Sequence, residues 1–422
     1  MTIVDPRTLL TSVFDAAVRA ADPNLTIRAH LPQKPKGRTI VIGFGKGAAQ
    51  MGQAFERAWD GPIEGLIVTR YGYGAPCEHL EVVEAAHPVP DEAGLRAAQR
   101  LLDLVSDLTP NDLVVALVSG GGSALLPAPA GDLTLADEIA VNEALLAAGV
   151  PIAAMNCLRK HVSRVKGGRL AAAAHPARVV SLIVADIPGD NPALVASGPT
   201  VPDTTTRADA LAIVETWRMR LPPAVMRHLA SPGADAPMPD DLRFTGNVVK
   251  VIASASVSLD AAAAEARRQG VEAVILSDAI EGEARDVGSV HAAIAREVAT
   301  RNRPFTKPVL ILSGGETTVT LRGKGGKGGR NSEFLLSFAI GIQGLAGVHA
   351  LAADTDGIDG SEDNAGAFCD GATVTRMRAA GVDAKAMLAA NNAWTAFNAV
   401  GDLFVPGPTG TNVNDLRAIL VR

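Results

Sequence analysis

The chain has 422 residues, 47% hydrophobic and 20% charged, with 42 glycines and 26 prolines. At about 150 residues per domain this length predicts two or three domains, and the apolar fraction excludes wholesale disorder. With 39 basic and 45 acidic side chains the net charge is -6, which argues against a general nucleic-acid binder; aromatics at 4% leave little for base stacking. No apolar run reaches the roughly 18 residues of a membrane helix, and the opening MTIVDPRTLL lacks the basic-then-apolar plan of a signal peptide. Cys77, Cys157 and Cys369 are far apart, with neither disulfide nor zinc spacing. These features predict a cytoplasmic protein with reduced thiols.

Asp5 and Pro6 suit the N-cap and first turn of an amphipathic helix in which Leu9, Leu10, Val13, Phe14, Ala17 and Val18 recur at helical spacing. A strand over 38–42 runs into Gly43-Phe-Gly-Lys-Gly47, and a helix starts near Met51. Strands follow over 66–69 and 82–85, the second leading into His87-Pro-Val-Pro-Asp91 and a helix over 92–108. The apolar strand 113–118 ends in Ser119-Gly-Gly-Gly-Ser123, and the stretch 134–174 reads as mostly helical. A strand over 179–185 ends in Asp186-Ile-Pro-Gly-Asp190. Residues 231–241, rich in proline and acid, read as a linker. Strands over 248–253, 273–276, 309–312 and 350–353 then alternate with helices over 257–269 and 284–300. This alternation predicts an α/β protein of two domains, 1–238 and 239–422, with mainly parallel sheets.

Ligands of open α/β sheets bind beyond the carboxyl ends of the strands, so the loops there are the places to look. Four stand out. Gly43-Phe-Gly45-Lys46-Gly47-Ala48 fits GxGxxA, a dinucleotide fingerprint, although Arg70 stands where an acid is expected at the end of the next strand; Lys46 adds a positive charge inside the turn. Ser119, Gly120, Gly121, Gly122 and Ser123 can form a nest of N–H donors around a phosphate, and they do not fit a Walker A loop. Ser313-Gly-Gly-Glu316 precedes a stretch, 322–330, in which Arg322, Lys324, Lys327 and Arg330 are interleaved with five glycines, a composition suited to folding over a polyanion. Arg330 opens the next helix, where its fork meets a phosphate or carboxylate. The fourth loop holds Asp354, Asp356, Asp359, Glu362 and Asp363 in a spacing that fails an EF-hand but suits Mg²⁺. Each of the four has a plainer reading as a turn, a mobile hairpin or a set of N-caps. Taken together they supply glycine nests, cations and carboxylates, the parts that phosphoryl transfer needs.

His87, in a loop after a strand, is a candidate substrate contact. The run 156–169, with Arg159, Lys160, Arg164, Lys166 and Arg169, reads either as an exposed helix face or as one facing an anion. No GxSxG elbow or Ser-His-Asp arrangement supports hydrolase chemistry.

The stretches VIGFGKGAAQMG, HPVPDEAG, LVSGGGSALLPAP, MNCLRKHVSRVKGGRLA, VADIPGDNPALVASGPTVPD, LSGGETTVTLRGKGGKGGRNSEF, ADTDGIDGSEDNAGAF and PGPTGTNVNDL together resemble the two-domain glycerate 2-kinases whose carboxyl-terminal part is the MOFRL domain. The resemblance covers nearly the whole chain. It implies a Rossmann-like three-layer domain, a second α/β domain and an active site in the cleft between them. It also implies transfer of the γ-phosphoryl group of ATP to the 2-hydroxyl of D-glycerate with Mg²⁺ or another divalent cation. Lys46 and Arg330 correspond to the catalytic cations. Gly45, His87, Ser119, Gly120, Gly121, Gly122, Ser123, Glu316, Asp354, Asp356, Thr411 and Asn412 are the candidates for holding substrate or nucleotide, and Asp186 and Asp190 for holding the metal. Members of this family have also been labelled hydroxypyruvate reductases, from their place beside serine, glyoxylate or tartrate catabolism. An NAD(P)H-dependent hydroxypyruvate or tartronate semialdehyde reductase is therefore the alternative, and a silent nucleotide-binding protein a third. D-glycerate is the expected partner, with no nucleic acid or membrane; the sequence leaves a homodimer open.

Overall fold

A computed structural model of the chain describes residues 5–321 and 325–422. Arg322 and Lys324 of the basic loop lie outside the described residues. Six strands make the first sheet: β1 (Thr39–Phe44), β2 (Glu64–Arg70), β3 (Leu80–Ala85), β4 (Leu113–Val118), β5 (Arg178–Val184) and β6 (Val248–Ala253). Their order is β3-β2-β1-β4-β5-β6, and the pairings β1–β2, β1–β4, β2–β3 and β4–β5 are all parallel. β1 and β4 are buried along their whole length. Alternation along β1 explains why: Ile40, Ile42 and Phe44 join one apolar core with Leu101 and Leu170, while Val41 joins another with Met51 and Phe55. A strand covered on both faces has to be apolar throughout, and this makes a three-layer unit. The order of the strands reverses between β1 and β4, which creates a switch point at their carboxyl ends.

The second sheet contains β7 (Glu272–Ile275), then, beyond a short β8 (Gly282–Glu283), β9 (Val309–Ser313), and, beyond a short β10 (Thr317–Thr318), β11 (Val348–Asp354), β12 (Gly366–Asp370), β13 (Leu403–Phe404) and β14 (Asp415–Val421). β8 and β10 pair only with each other; the remaining six run in the order β13-β12-β11-β14-β9-β7. Here the expectation of a mainly parallel sheet fails. β7–β9 is parallel, but β9–β14, β14–β11, β11–β12 and β12–β13 are antiparallel. Two of these four pairings come from the final segment, which returns through the loop 405–414 and inserts β14 between β9 and β11.

The chain divides into two compact units, Pro23–Ile252 and a second made of the residues up to Asp22 with Ala253–Arg422. The boundary expected at 238/239 is therefore displaced at both ends. β6 hydrogen-bonds as the edge of the first sheet, and 231–241 is a run of tight turns inside the first unit. Helix Pro6–Ala20 is capped by the Asp5 carboxylate, which accepts the Thr8 N–H at 3.0 Å, and it buries Leu9, Leu10, Val13 and Phe14 against Leu259, Leu351 and Leu416 of the second unit. Its apolar stripe is legible in sequence; its partner is not, because an amphipathic face does not specify what covers it. Among the described residues no helix is long and apolar enough to cross a membrane, and the three cysteines are free thiols.

Candidate active site

Two glycine loops leave the sheet at the switch point, the first after β1 and the second after β4, and their amides have different fates. In the first loop the N–H of Gly45 donates to Val68 O, that of Lys46 to Gly120 O, that of Gly47 to Ser119 Oγ and that of Ala48 to Gly45 O, at 2.8 to 3.2 Å. Gly45 has φ +128°, and a Cβ there would lie 2.3 Å from both Ser119 O and Ser119 Oγ. These glycines let one loop fold tightly onto the other. Gly45 and Ser119, both candidates for holding ligand, fasten the two loops together. A dinucleotide fingerprint needs donors free for a pyrophosphate, and this turn leaves none among its four amides.

The second loop is the reverse case. The N–H groups of Gly120, Gly121, Gly122 and Ser123 have no acceptor among the described residues. Gly121 sits at φ +81°, where a Cβ would come within 3.0 Å of the Lys46 side chain and 3.1 Å of His87 Nε2. A Cβ on Gly120 would fall 1.6 Å from Asp186 Oδ2. The loop therefore brings together Lys46 from beyond β1, His87 from beyond β3 and Asp186 from beyond β5. Lys46 makes no ion pair among the described residues. Burial, reinforced by the charges of Lys46 and Arg70, pushes the His87 imidazole down from 6.5 to about 4, so the ring is neutral at pH 7. Asp190 lies farther along the loop after β5, half-buried and with φ +50°.

A cavity of about 260 Å³ opens beside this loop, lined by His87, Gly121, Ser123, Arg159, Asp186 and Ser197 among others. Ser123 Oγ and Ser197 Oγ are 2.9 Å apart, and Ser197 donates to Asn156 Oδ1 at 2.8 Å. Ala196 and Ser197 hold left-handed backbone at φ +53° and +62°, a conformation that costs a non-glycine residue and tends to occur at functional sites. Three of the five cations in the basic run 156–169 are turned inward, so the run as a whole is not an exposed helix face. Lys160 is buried against Asp203, Lys166 bonds Glu138 at 2.6 Å, and Arg169 donates to the carbonyls of Lys160, Ala234 and Asp235. Burial lowers Lys160 from 10.5 to about 8 and Arg169 from 12.5 to about 10.

In the second unit Arg330 sits among acids. Its Nε donates to Asp415 Oδ1 at 2.7 Å and its Nη2 to Asp354 Oδ2 at 2.6 Å, while Nη1 lies 3.5 Å from Glu316 Oε1. Burial and the fields of Asp356 and Asp415 outweigh Arg330 and push the Asp354 carboxyl up from 3.8 to about 8. Three other acids of that loop, Asp356, Asp359 and Glu362, are engaged nearby. Asp356 Oδ1 accepts the Ile358 N–H at 2.8 Å, and Asp359 caps the helix Arg330–Gly341 by accepting from the Asn331 and Ser332 amides at 2.9 and 2.8 Å. Lys327 pairs with Glu362 and lies over the Trp394 ring. Among the described residues of the basic loop, Lys327 and Arg330 are thus both paired with acids.

Sequence reasoning missed Asp415, a buried acceptor for Arg330, Asn331 and Arg417. The only available signal was an acid in the NVNDL segment just before a strand. Thr411 and Asn412 make turn contacts: Thr411 Oγ1 donates to Ala21 O at 3.2 Å, and Asn412 Oδ1 accepts the Asn414 N–H at 3.0 Å. The neighbouring Thr409 does more, donating through Oγ1 to Thr355 O at 2.6 Å and through N–H to Asp356 O at 3.1 Å. Among the described residues no group of three or more His, Cys, Asp or Glu side chains is placed to hold a metal. Asp186 and Asp190 provide oxygen donors, which suits Mg²⁺, an ion that fills its remaining positions with phosphate oxygens and water.

A parallel sheet in this order, with open amides, a lysine and a neutral histidine at its switch point, defines an α/β protein with donors gathered at the carboxyl ends of its strands. Comparison with known proteins gives the same outline a family. The profile of a domain of unknown function, DUF4147, matches residues 9–230, and that of the MOFRL family matches residues 309–415. A protein of Agrobacterium vitis with the provisional name hydroxypyruvate reductase is 49% identical over 99% of this chain and 95% of its own. A glycerate 2-kinase of Pyrococcus horikoshii is 40% identical over 96% of this chain and 92% of its own. The crystal structure of a glycerate kinase from Thermotoga maritima, 36% identical, superposes with a TM-score of 0.90 over 98% of this chain and 99% of its own. The chain belongs to the DUF4147–MOFRL family of two-domain proteins that includes these glycerate kinases.

Proposed function

We propose that this chain is an ATP-dependent D-glycerate 2-kinase, which moves the γ-phosphoryl group of ATP to the 2-hydroxyl and releases 2-phospho-D-glycerate and ADP. The observation that carries the reading is the pair of glycine loops: the open amides are those of 120–123, beside Lys46, and the amides of the dinucleotide-like turn are all engaged. Phosphoryl transfer spreads charge over equatorial oxygens, and donors fixed in advance around that charge supply most of the catalysis. In this reading the amides of Gly120 to Ser123 grip the phosphates and Lys46 neutralises the migrating group. His87, neutral, offers a hydrogen bond without adding charge. Arg330, held by Asp415 and Asp354, is the second catalytic cation in this reading. Asp186 and Asp190 would hold the divalent cation, which would supply charge neutralisation to the phosphates.

The reductase name carried by relatives such as the Agrobacterium protein finds no support in the turn after β1. The assay is direct. With D-glycerate, ATP and Mg²⁺, the purified chain yields 2-phosphoglycerate, identified by ³¹P NMR, and it leaves NAD(P)H unoxidised with hydroxypyruvate. Oxidation of NAD(P)H without a phosphorylated product overturns the proposal in favour of the reductase. Nucleotide binding with neither reaction points to a silent binder.

A further inference from the structure

We propose that Arg159 recognises the carboxylate of the phosphoryl acceptor, and that the cavity beside the second glycine loop is the acceptor pocket. This rests on the kinase reading above and names a residue which that reading does not use. Of the five basic side chains between 159 and 169, four are accounted for. Lys160 and Lys166 are in buried ion pairs, Arg169 is ringed by carbonyls, and Arg164 is exposed and donates to Gln99. Arg159 is different. It extends from the helix Ile152–His161 to the cavity wall, and among the described residues it has no acid partner.

Its orientation is fixed from behind. Arg159 Nε donates to Asn142 Oδ1 at 2.7 Å, and Asn142 Nδ2 donates to Glu138 O at 3.0 Å, which decides which end of the amide faces the guanidinium. No acceptor among the described residues takes the Nη1 or Nη2 hydrogens. Glu138, the acid whose field reaches Arg159, is itself bonded to Lys166, and burial lowers the guanidinium's pKa. A half-buried cation held by its Nε alone is destabilising until an anion fills the fork. The fork matches a carboxylate, which it takes through two parallel hydrogen bonds.

The rest of the wall says what else the acceptor carries. Ser123 and Ser197 form a hydroxyl chain ending at Asn156, which suits alcohol groups. At about 260 Å³ the cavity is smaller than the usual 300–1,000 Å³ ligand pocket, so a short hydroxy acid fits it better than a whole nucleotide. Gly121 and Ser123, two of the residues with open amides, belong to the cavity wall, and the Lys46 side chain lies beside Gly121, where a phosphoryl group would meet an acceptor hydroxyl.

Steady-state kinetics in both substrates test this with Arg159→Met and Arg159→Lys. Removing one partner of a buried charge pair predicts a KM for D-glycerate raised at least about thirtyfold in R159M. The KM for ATP should change by less than about threefold, since that substrate's contacts are untouched. Arg159→Lys, which keeps the charge but not the fork, should recover part of the loss. The wild-type preference for D-glycerate over its neutral amide, which keeps both hydroxyls, should shrink in both variants. An unchanged glycerate KM overturns the role of Arg159, and so does a rise confined to the KM for ATP. Should R159M lose its melting transition, Arg159→Lys and the amide comparison carry the test. A wild-type enzyme that phosphorylates no glycerate refutes the kinase reading itself, which separates the two failures.

Discussion

Two glycine-rich loops flank one switch point, and they treat their donors in opposite ways. The four amides of the turn after β1 are bonded to its neighbours. The loop after β4 has four amides without acceptors among the described residues. Glycine supplies the freedom to form a nest; what makes a nest a binding site is the absence of a nearer acceptor. The two cations contrast in the same way. Lys46 has no acid partner among the described residues, whereas Arg330 joins Asp354, Asp415 and Glu316.

This difference gives the largest expected effects. Lys46→Ala and Arg330→Ala should each cut kcat at least about a hundredfold, the scale of losing one transition-state contact. Only Arg330→Ala should also lower stability, by about 3–5 kcal/mol, because it strands buried carboxylates. Turnover assays paired with denaturant melts check both. Near-normal turnover in either variant refutes its assignment, and equal melts would erase the contrast.

Within the first unit the glycines should divide as their amides do. Gly120→Ala places a Cβ 1.6 Å from Asp186 Oδ2, whereas Gly47→Ala meets nothing closer than Ser119 Oγ at 3.6 Å. We expect kcat to fall by about tenfold or more in G120A, given the cost of displacing a catalytic group, and to stay near wild type in G47A. Equal losses would mean that the loops share one role.

The smallest effect is a pH dependence. The Asp354 carboxyl is raised from 3.8 to about 8, so the folded state holds a proton that the unfolded chain releases. Its contribution to stability is complete below 3.8 and is lost as pH rises towards about 8. Asp354→Asn should flatten the fall of Tm across that window. An unchanged slope would place the titration elsewhere.

Much of this was legible before the structure. Strands such as 113–118 declare themselves because burial on both faces demands an unbroken apolar run, and glycine at their carboxyl ends marks loops that approach something closely. What sequence hides is the partner. Whether the Gly45 amide is open depends on Val68, and whether Lys166 faces solvent depends on Glu138, far off in the chain. The direction of β14 was hidden for the same reason: LRAILV is an apolar run that fits either strand sense, and only the returning loop 405–414 settles it. Asp415, one residue before that run, looks like any strand-leading acid until Arg330, Asn331 and Arg417 converge on it.

The most direct measurement follows the amides themselves. On titrating ¹⁵N-labelled protein with Mg²⁺ and a non-hydrolysable ATP analogue, the largest amide shifts should fall on Gly120, Gly121, Gly122 and Ser123, with Gly45 and Gly47 nearly unmoved. Large shifts at Gly45 and Gly47, with 120–123 unchanged, would contradict the account and return the turn after β1 to the role of phosphate site.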